Sequence, residues 1–290
     1  MGLRAGCHVR GRQLREHDKS RAGFTASREW LASGLAIAAL GLLAGFIAVP
    51  ILSLVVWTVN EEAWGAMASP VAREALFLSM RTTAATTVIL VVVGTPAAYV
   101  LARGRFRGSR ALNTLVELPI VLPPSAAGIA LLLAFGRFGL VGEYLNAFGI
   151  TLSFTTVAVV MAEVFVAAPF YVRQAATGFA GVDPTVEEAA LVDGADRTAA
   201  FLRVTVPLAF PALVAGAMTA WARALGEFGA TIIFAGNFRG ITQTIPLAIY
   251  SEFQSNIDAA VALSVLVLGF AFAVILSVRY LTRRAIEYRD

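Results

Sequence analysis

Arg223 and Glu227 stand four residues apart in an otherwise apolar stretch, a spacing that puts both on one helix face and lets them pair. Glu117, Glu163 and Arg173 are also set in or beside apolar runs, where they would form further structural pairs or mark interfaces. Ionisable groups in such settings face a cavity or a partner, because exposing them to hydrocarbon is expensive. Two roles follow for Arg223: easing the passage of an anion, or holding its helix to its neighbours. The structural pair is the favoured reading, since an arginine held by Glu227 is partly neutralised. Little else invites chemistry. Cys7, His8 and His17 all lie in the polar N-terminal segment, too few for a Cys/His metal site and unable to form a disulfide within the chain. No Walker A run and no glycine-rich loop opening a helix is present, so the chain is not expected to bind ATP.

A second constellation lies in the polar segment 178–206, GFAGVDPTVEEAALVDGADRTAAFLRVTV. Asp183 can cap free N–H groups, and Pro184 is favoured at the first helical position. Glu187 and Glu188 fall near the positive end of that helix. Gly194 is a helix stop, Ala195 to Val204 reads as a second short helix, and Pro207 marks the return to apolar sequence. Two short helices joined at a glycine are more than a connection requires, and a docking surface for a soluble protein is the sharper interpretation.

These residues must be held by elements that the composition identifies. Of 290 residues, 58% are hydrophobic and only 14% are charged, against about 25% charged in soluble domains. The mean hydropathy is +0.75. Apolar stretches at about 31–59, 76–102, 111–136, 154–177, 207–235 and 258–281 each approach the roughly 20 residues that span a bilayer core as a helix. Open strands would leave backbone groups without partners in lipid. The expected fold is an all-α membrane protein with six transmembrane helices (domain 30–290), preceded by a basic cytoplasmic tail, 1–29, without fixed structure. That tail is followed by an apolar run too long for a signal-peptide core.

Prolines punctuate the spans. Pro123-Pro124 and Gly128 break the third, either as a gate beside the pathway or as a packing kink. Gly226 and Gly229 suit close helix approach. Basic residues set the orientation. They crowd the tail, the segment holding Arg103, Arg105, Arg107 and Arg110, the 178–206 loop with Arg197 and Arg203, and the C-terminus. Only Arg73, Arg137 and Arg239 fall in the opposite loops. Both termini are therefore expected in the cytoplasm.

Glu188-Ala189-Ala190, Gly194, Val204, Val206 and Pro207 resemble the signature loop of bacterial ABC-importer permeases: Glu-Ala-Ala, three residues, Gly, nine residues, an aliphatic, one residue, an aliphatic, Pro. The resemblance implies that Glu188 makes polar contacts with an ATPase subunit, that Ala189 and Ala190 pack closely against it, and that Gly194 makes the turn. Residues 221–250, WARALGEFGATIIFAGNFRGITQTIPLAIY, and 118–128, LPIVLPPSAAG, further resemble molybdate-importer permeases. Sulfate and tungstate permeases are near relatives. The resemblance covers about 70–290.

The implied function is import of molybdate across a bacterial inner membrane by alternating access, with sulfate or tungstate as alternative cargo. The implied partners are cytoplasmic ABC ATPases that bind ATP and Mg, an extracytoplasmic oxyanion-binding protein, a second copy of the chain and the lipid bilayer, with no nucleic acid. An ion-driven secondary transporter is the competing class, but no inverted repeat is evident. A membrane-embedded enzyme would need a His/Asp/Glu cluster that is not evident either.

Overall fold

The computed structural model describes residues 34–58, 61–104 and 106–287, with the side chains of 61–63 and 281–287 left aside. The tail 1–29, with Cys7, His8 and His17, lies outside the described residues, as do the first residues of the 31–59 span. Every regular element among the described residues is helical.

The chain divides into two compact units, Met1–Trp57 and Thr58–Asp290. In the first, α1 (Gly34–Trp57) is a 24-residue apolar helix. The second begins with a short helix the hydropathy did not indicate, α2 (Glu61–Met67), followed by α3 (Pro70–Arg103). Ser69 caps α3 by accepting from the Ala72 amide at 3.1 Å, and Pro70 opens it. Then come α4 (Ser109–Val121), α5 (Pro124–Phe135), α6 (Gly142–Ala147) and α7 (Thr156–Ala180). The 178–206 loop holds α8 (Pro184–Val192) and α9 (Arg197–Ala200). The chain closes with α10 (Val206–Leu225), α11 (Gly229–Phe234), α12 (Ile245–Phe253) and α13 (Ile257–Glu287).

Five runs are long and apolar enough to cross a membrane, and the bent pair α4–α5 makes a sixth. That pair turns by 118° between Val121 and Pro124. Pro123 can neither donate an N–H nor let Leu122 stay helical, so the double proline ends one helix and starts another.

Packing centres on α3, α7 and α10. Their shared core is built of small residues, including Ala98, Ala167, Ala175, Ala209, Ala220 and Ala224, around buried Tyr171 and Phe179. Small side chains let membrane helices approach until van der Waals contact is continuous. Gly94 shows how close: a Cβ there would sit 2.7 Å from the Tyr171 ring. A second core joins α5, α7 and α11 through Ala127, Leu131, Ala162 and Phe234. A third joins the start of α3 to α12 and α13 through Ala72, Ala75, Ile245, Ala248 and Leu263. The segment 236–257 therefore carries a nine-residue helix, α12, docked on α3, where the Ile245 amide donates to Ser79 Oγ at 2.9 Å.

Two expectations need correction. The fifth span does not run to 235. Its helix ends at Leu225, and residues 229–234 form the separate α11. Nor is there a free-standing second loop helix over 195–204. From Arg197 the chain stays helical through a π-helical turn, Phe201–Thr205, straight into α10. Pro207 falls inside this continuous run, directly after the π-helical turn, and the helix passes through it without a break.

Candidate functional site

The 178–206 loop and the membrane charges form two separate constructions. In the loop, Asp183 caps α8 by accepting from the Thr185 amide at 2.9 Å. At the other end Gly194 adopts φ +93°, where a side chain is strained, and Ala195 N–H closes back on Ala190 O at 3.0 Å. Asp196 then caps the next helix, accepting from the Ala199 amide at 2.6 Å. Glu188, Ala189 and Gly194 are exposed and Ala190 is half-buried. The signature residues thus lie open on the surface of a well-capped helix.

What holds α8 in place is the preceding residue, Glu187, which sequence reasoning did not single out. Its carboxylate pairs with Arg103 Nη2 at 3.0 Å, across from the end of α3. Tyr99 OH donates to Glu187 Oε2 at 3.3 Å, and the Thr205 hydroxyl donates to Oε1. Arg103 also donates to Val182 O at 3.3 Å, and its guanidinium lies 5.6 Å from the Tyr99 ring centroid. Tyr99 in turn packs edge-on to Phe179 at 5.6 Å and against Phe201 at 4.7 Å. One carboxylate therefore ties α8 to α3 and to the π-helical turn leading into α10. Burial pushes the Glu187 carboxyl up, but the Thr205 hydroxyl, the Arg103 guanidinium and Tyr99 outweigh it and hold it below the usual carboxylate range. No local pattern points to Glu187, because Tyr99 and Arg103 are more than 80 residues away in sequence.

In the membrane part, Arg223 Nη2 and Glu227 Oε2 do pair, at 2.8 Å. They do so around the end of α10 and not along a continuous helix face. The Glu227 side chain is 1% exposed, and its Oε1 accepts from the Ala230 amide at 2.8 Å. Glu227 thus closes α10 with one oxygen and starts α11 with the other. Gly229 and Gly128 bring α11 against α5. A Cβ on Gly229 would lie 2.6 Å from Pro124 Cβ, and one on Gly128 would lie 2.9 Å from Ala230 O. The two breaks in the spans, at Pro123-Pro124 and at 226–228, are therefore seated on one another. Gly226 has ordinary room, so close approach falls to Gly229 alone of the two.

Glu163 is not half of an ion pair. It is 2% exposed and accepts from Thr82 Oγ1 at 2.7 Å and Thr86 Oγ1 at 2.8 Å, fastening α7 to α3. Glu117 and Arg173 are also without ion-pair partners among the described residues, and both line one cavity between α4 and α7.

Residues 91–287 match the family of binding-protein-dependent transport system inner membrane components. The chain is 46% identical over 235 residues to the molybdenum transport system permease protein ModB of Mycobacterium tuberculosis, covering 80% of this chain and 88% of the relative. It is 37% identical over 203 residues to ModB of Escherichia coli K12, covering 70% and 89%. A bacterial alginate ABC transporter, solved in complex with an alginate pentasaccharide-bound periplasmic protein, has the same fold. Its TM-score is 0.69 at 15% identity, over 89% of this chain and 96% of that one. Helix content, broken spans and sequence similarity agree: this chain belongs to the family of binding-protein-dependent inner-membrane transport permeases.

Proposed function

We propose that the chain is the membrane-spanning subunit of an ATP-binding-cassette importer that carries molybdate into a bacterial cell. The cargo follows from relatives that are molybdenum permeases over most of their length. The drive follows from α8, whose exposed Glu188 and Ala189 and tight left-handed Gly194 turn suit insertion into a groove on an ATPase. Sulfate and tungstate are the less favoured cargoes, and an ion-driven carrier lacks a use for this loop.

In this reading two copies of the chain enclose the pathway, with both termini in the cytoplasm. A binding protein delivers the oxyanion outside, and paired ATPases hold ATP and Mg inside. The permease itself performs no bond chemistry. ATPase closure displaces α8, and Glu187 passes the displacement to α3 through Arg103 and Tyr99 and to α10 through Thr205. The π-helical turn beside Thr205 is the compliant joint, a role such turns often have.

The test is uptake of radiolabelled molybdate by proteoliposomes holding the complete complex. Wild type should accumulate molybdate only with both ATP and binding protein. Gly194→Trp should reach the membrane and lose at least 10-fold in uptake, because φ +93° disfavours any side chain. Normal ATP-driven uptake by that variant would refute the docking assignment, and ATP-independent uptake by wild type would refute the transporter class.

A further inference from the structure

The arginines at the spans are mostly committed. Arg223 is held by Glu227 and Arg103 by Glu187. Arg173 differs. It lies seven residues before the end of α7, roughly 10 Å inside at the helical rise of 1.5 Å per residue. Its side chain is exposed and has no ion-pair partner among the described residues. Ionisable groups within a span are expensive to leave facing lipid, and they turn to a water-filled cavity, a partner or the interface. A cavity that admits water or an anion is one such setting.

The surroundings supply that setting. Arg173 opens on a cavity of about 320 Å³ that also takes Asn113 and Glu117 from α4 and Thr177 from α7. Asn113, Glu117 and Thr177 are exposed as well. The walls between them, Leu101, Val116 and Val172, are apolar. The Thr177 hydroxyl donates to Arg173 O at 2.9 Å, so the Asn113 amide and the Arg173 guanidinium are the donors facing the space. Such a pair, one of them charged, matches what a tetrahedral oxyanion accepts from. Glu117 in the same cavity opposes tight binding, since like charges at close range repel.

We infer that the Arg173 cavity is a low-affinity oxyanion station on the pathway, near its cytoplasmic end, with Glu117 as the group that ejects the anion. The inference rests on the proposed function, and it moves the anion-handling role from Arg223 to Arg173. A conduit needs a site of this kind: favourable enough to draw the anion on, weak enough to release it.

The same chemistry would attract a lipid phosphate, so the test separates the two. In a Cys7→Ser background, Arg173→Cys complexes in inside-out vesicles are treated with membrane-impermeant thiol reagents. The expected result is a several-fold loss of molybdate uptake in the untreated variant, restored by a reagent adding a positive charge and not by one adding a negative charge. In the same background Thr177→Cys, which lines the cavity and keeps Arg173, should be labelled several-fold more slowly with millimolar molybdate on the cytoplasmic side. Labelling that molybdate leaves unchanged, even with uptake impaired, points to a lipid-phosphate anchor and overturns the inference. Normal uptake by untreated Arg173→Cys overturns it too. Adding Glu117→Gln to the Thr177→Cys variant should strengthen the protection that molybdate gives the introduced thiol, and unchanged protection removes Glu117 from the role. Wild-type uptake, measured alongside, reports on the proposed function separately. If wild type carries a different oxyanion, that anion replaces molybdate in the protection assay.

Discussion

Arg103–Glu187 and Arg223–Glu227 are chemically the same pair, at 3.0 Å and 2.8 Å, yet they do different work. The first joins residues 84 positions apart and binds three elements at the loop, with side chains 25% and 15% exposed. The second joins residues four apart and closes one helix end, with its glutamate 1% exposed. Burial makes the second a determinant of folding. Connectivity suits the first to the transmitting role proposed above. Charge pairing alone distinguishes neither role.

The largest effect should come from breaking the buried pair on one side only. Glu227→Ala leaves Arg223 without its counter-charge and the Ala230 amide without an acceptor. Arg223 is 28% exposed and can be met by water, so the main loss is the buried Ala230 amide left without an acceptor, about 1–3 kcal/mol. The expected outcome is a large drop in folded, membrane-inserted protein and a markedly lower melting temperature in detergent. A melting temperature equal to wild type would mean that the pair does not brace the α10–α11 junction.

Glu187→Gln should separate stability from coupling. It removes a charge but keeps an acceptor for Tyr99 and Thr205, so the protein should still fold, with a loss of about 1 kcal/mol. ATP hydrolysis by the complex should persist while molybdate moved per ATP falls several-fold. A purely structural glutamate would lower both in proportion. The pH dependence has a defined sign. The folded carboxyl lies below its usual value, so its contribution is complete above the unfolded value of about 4.3 and disappears as pH falls through the folded one. The melting-temperature gap between wild type and Glu187→Gln should be full at pH 7 and shrink below about pH 4.

The two pairs also differ in how far sequence announces them. Arg223 and Glu227 are legible because a four-residue spacing is local. The spans are legible for the same reason, since twenty apolar residues carry their own signal, and so is the break at Pro123-Pro124. The end of α10 is not. Residues 229–234 stay apolar, so hydropathy runs through a break that the Glu227 cap imposes. The continuity of α9 with α10 is hidden because Arg203, Thr205 and Pro207 read as an ending. The docked helix α12 is hidden because its apolar stretch, Ile245 to Tyr250, is too short to announce a buried helix. Glu187 is hidden because its partners arrive only when α3 packs beside the loop. In the signature stretch, pattern marks the outward-facing Glu188, and tertiary structure marks the inward-facing Glu187.

A third pair separates geometry from burial. Arg239 contacts Glu74 through two nitrogens, at 2.8 Å and 3.3 Å, and joins residues 165 apart. It is thus better aligned than Arg103–Glu187 and longer in reach. Its side chains, however, are 51% and 45% exposed. Water and salt screen exposed charges, and surface pairs contribute little even when well formed. Arg239→Gln should therefore give the smallest effect of the three, a melting temperature within error of wild type at physiological salt. If it instead destabilised as much as Glu187→Gln, alignment and not solvent exclusion would be setting the strength of these pairs. The ranking of Glu227 above Glu187 would then need a cause other than burial, and the Ala230 amide, which only Glu227 caps, would be that cause.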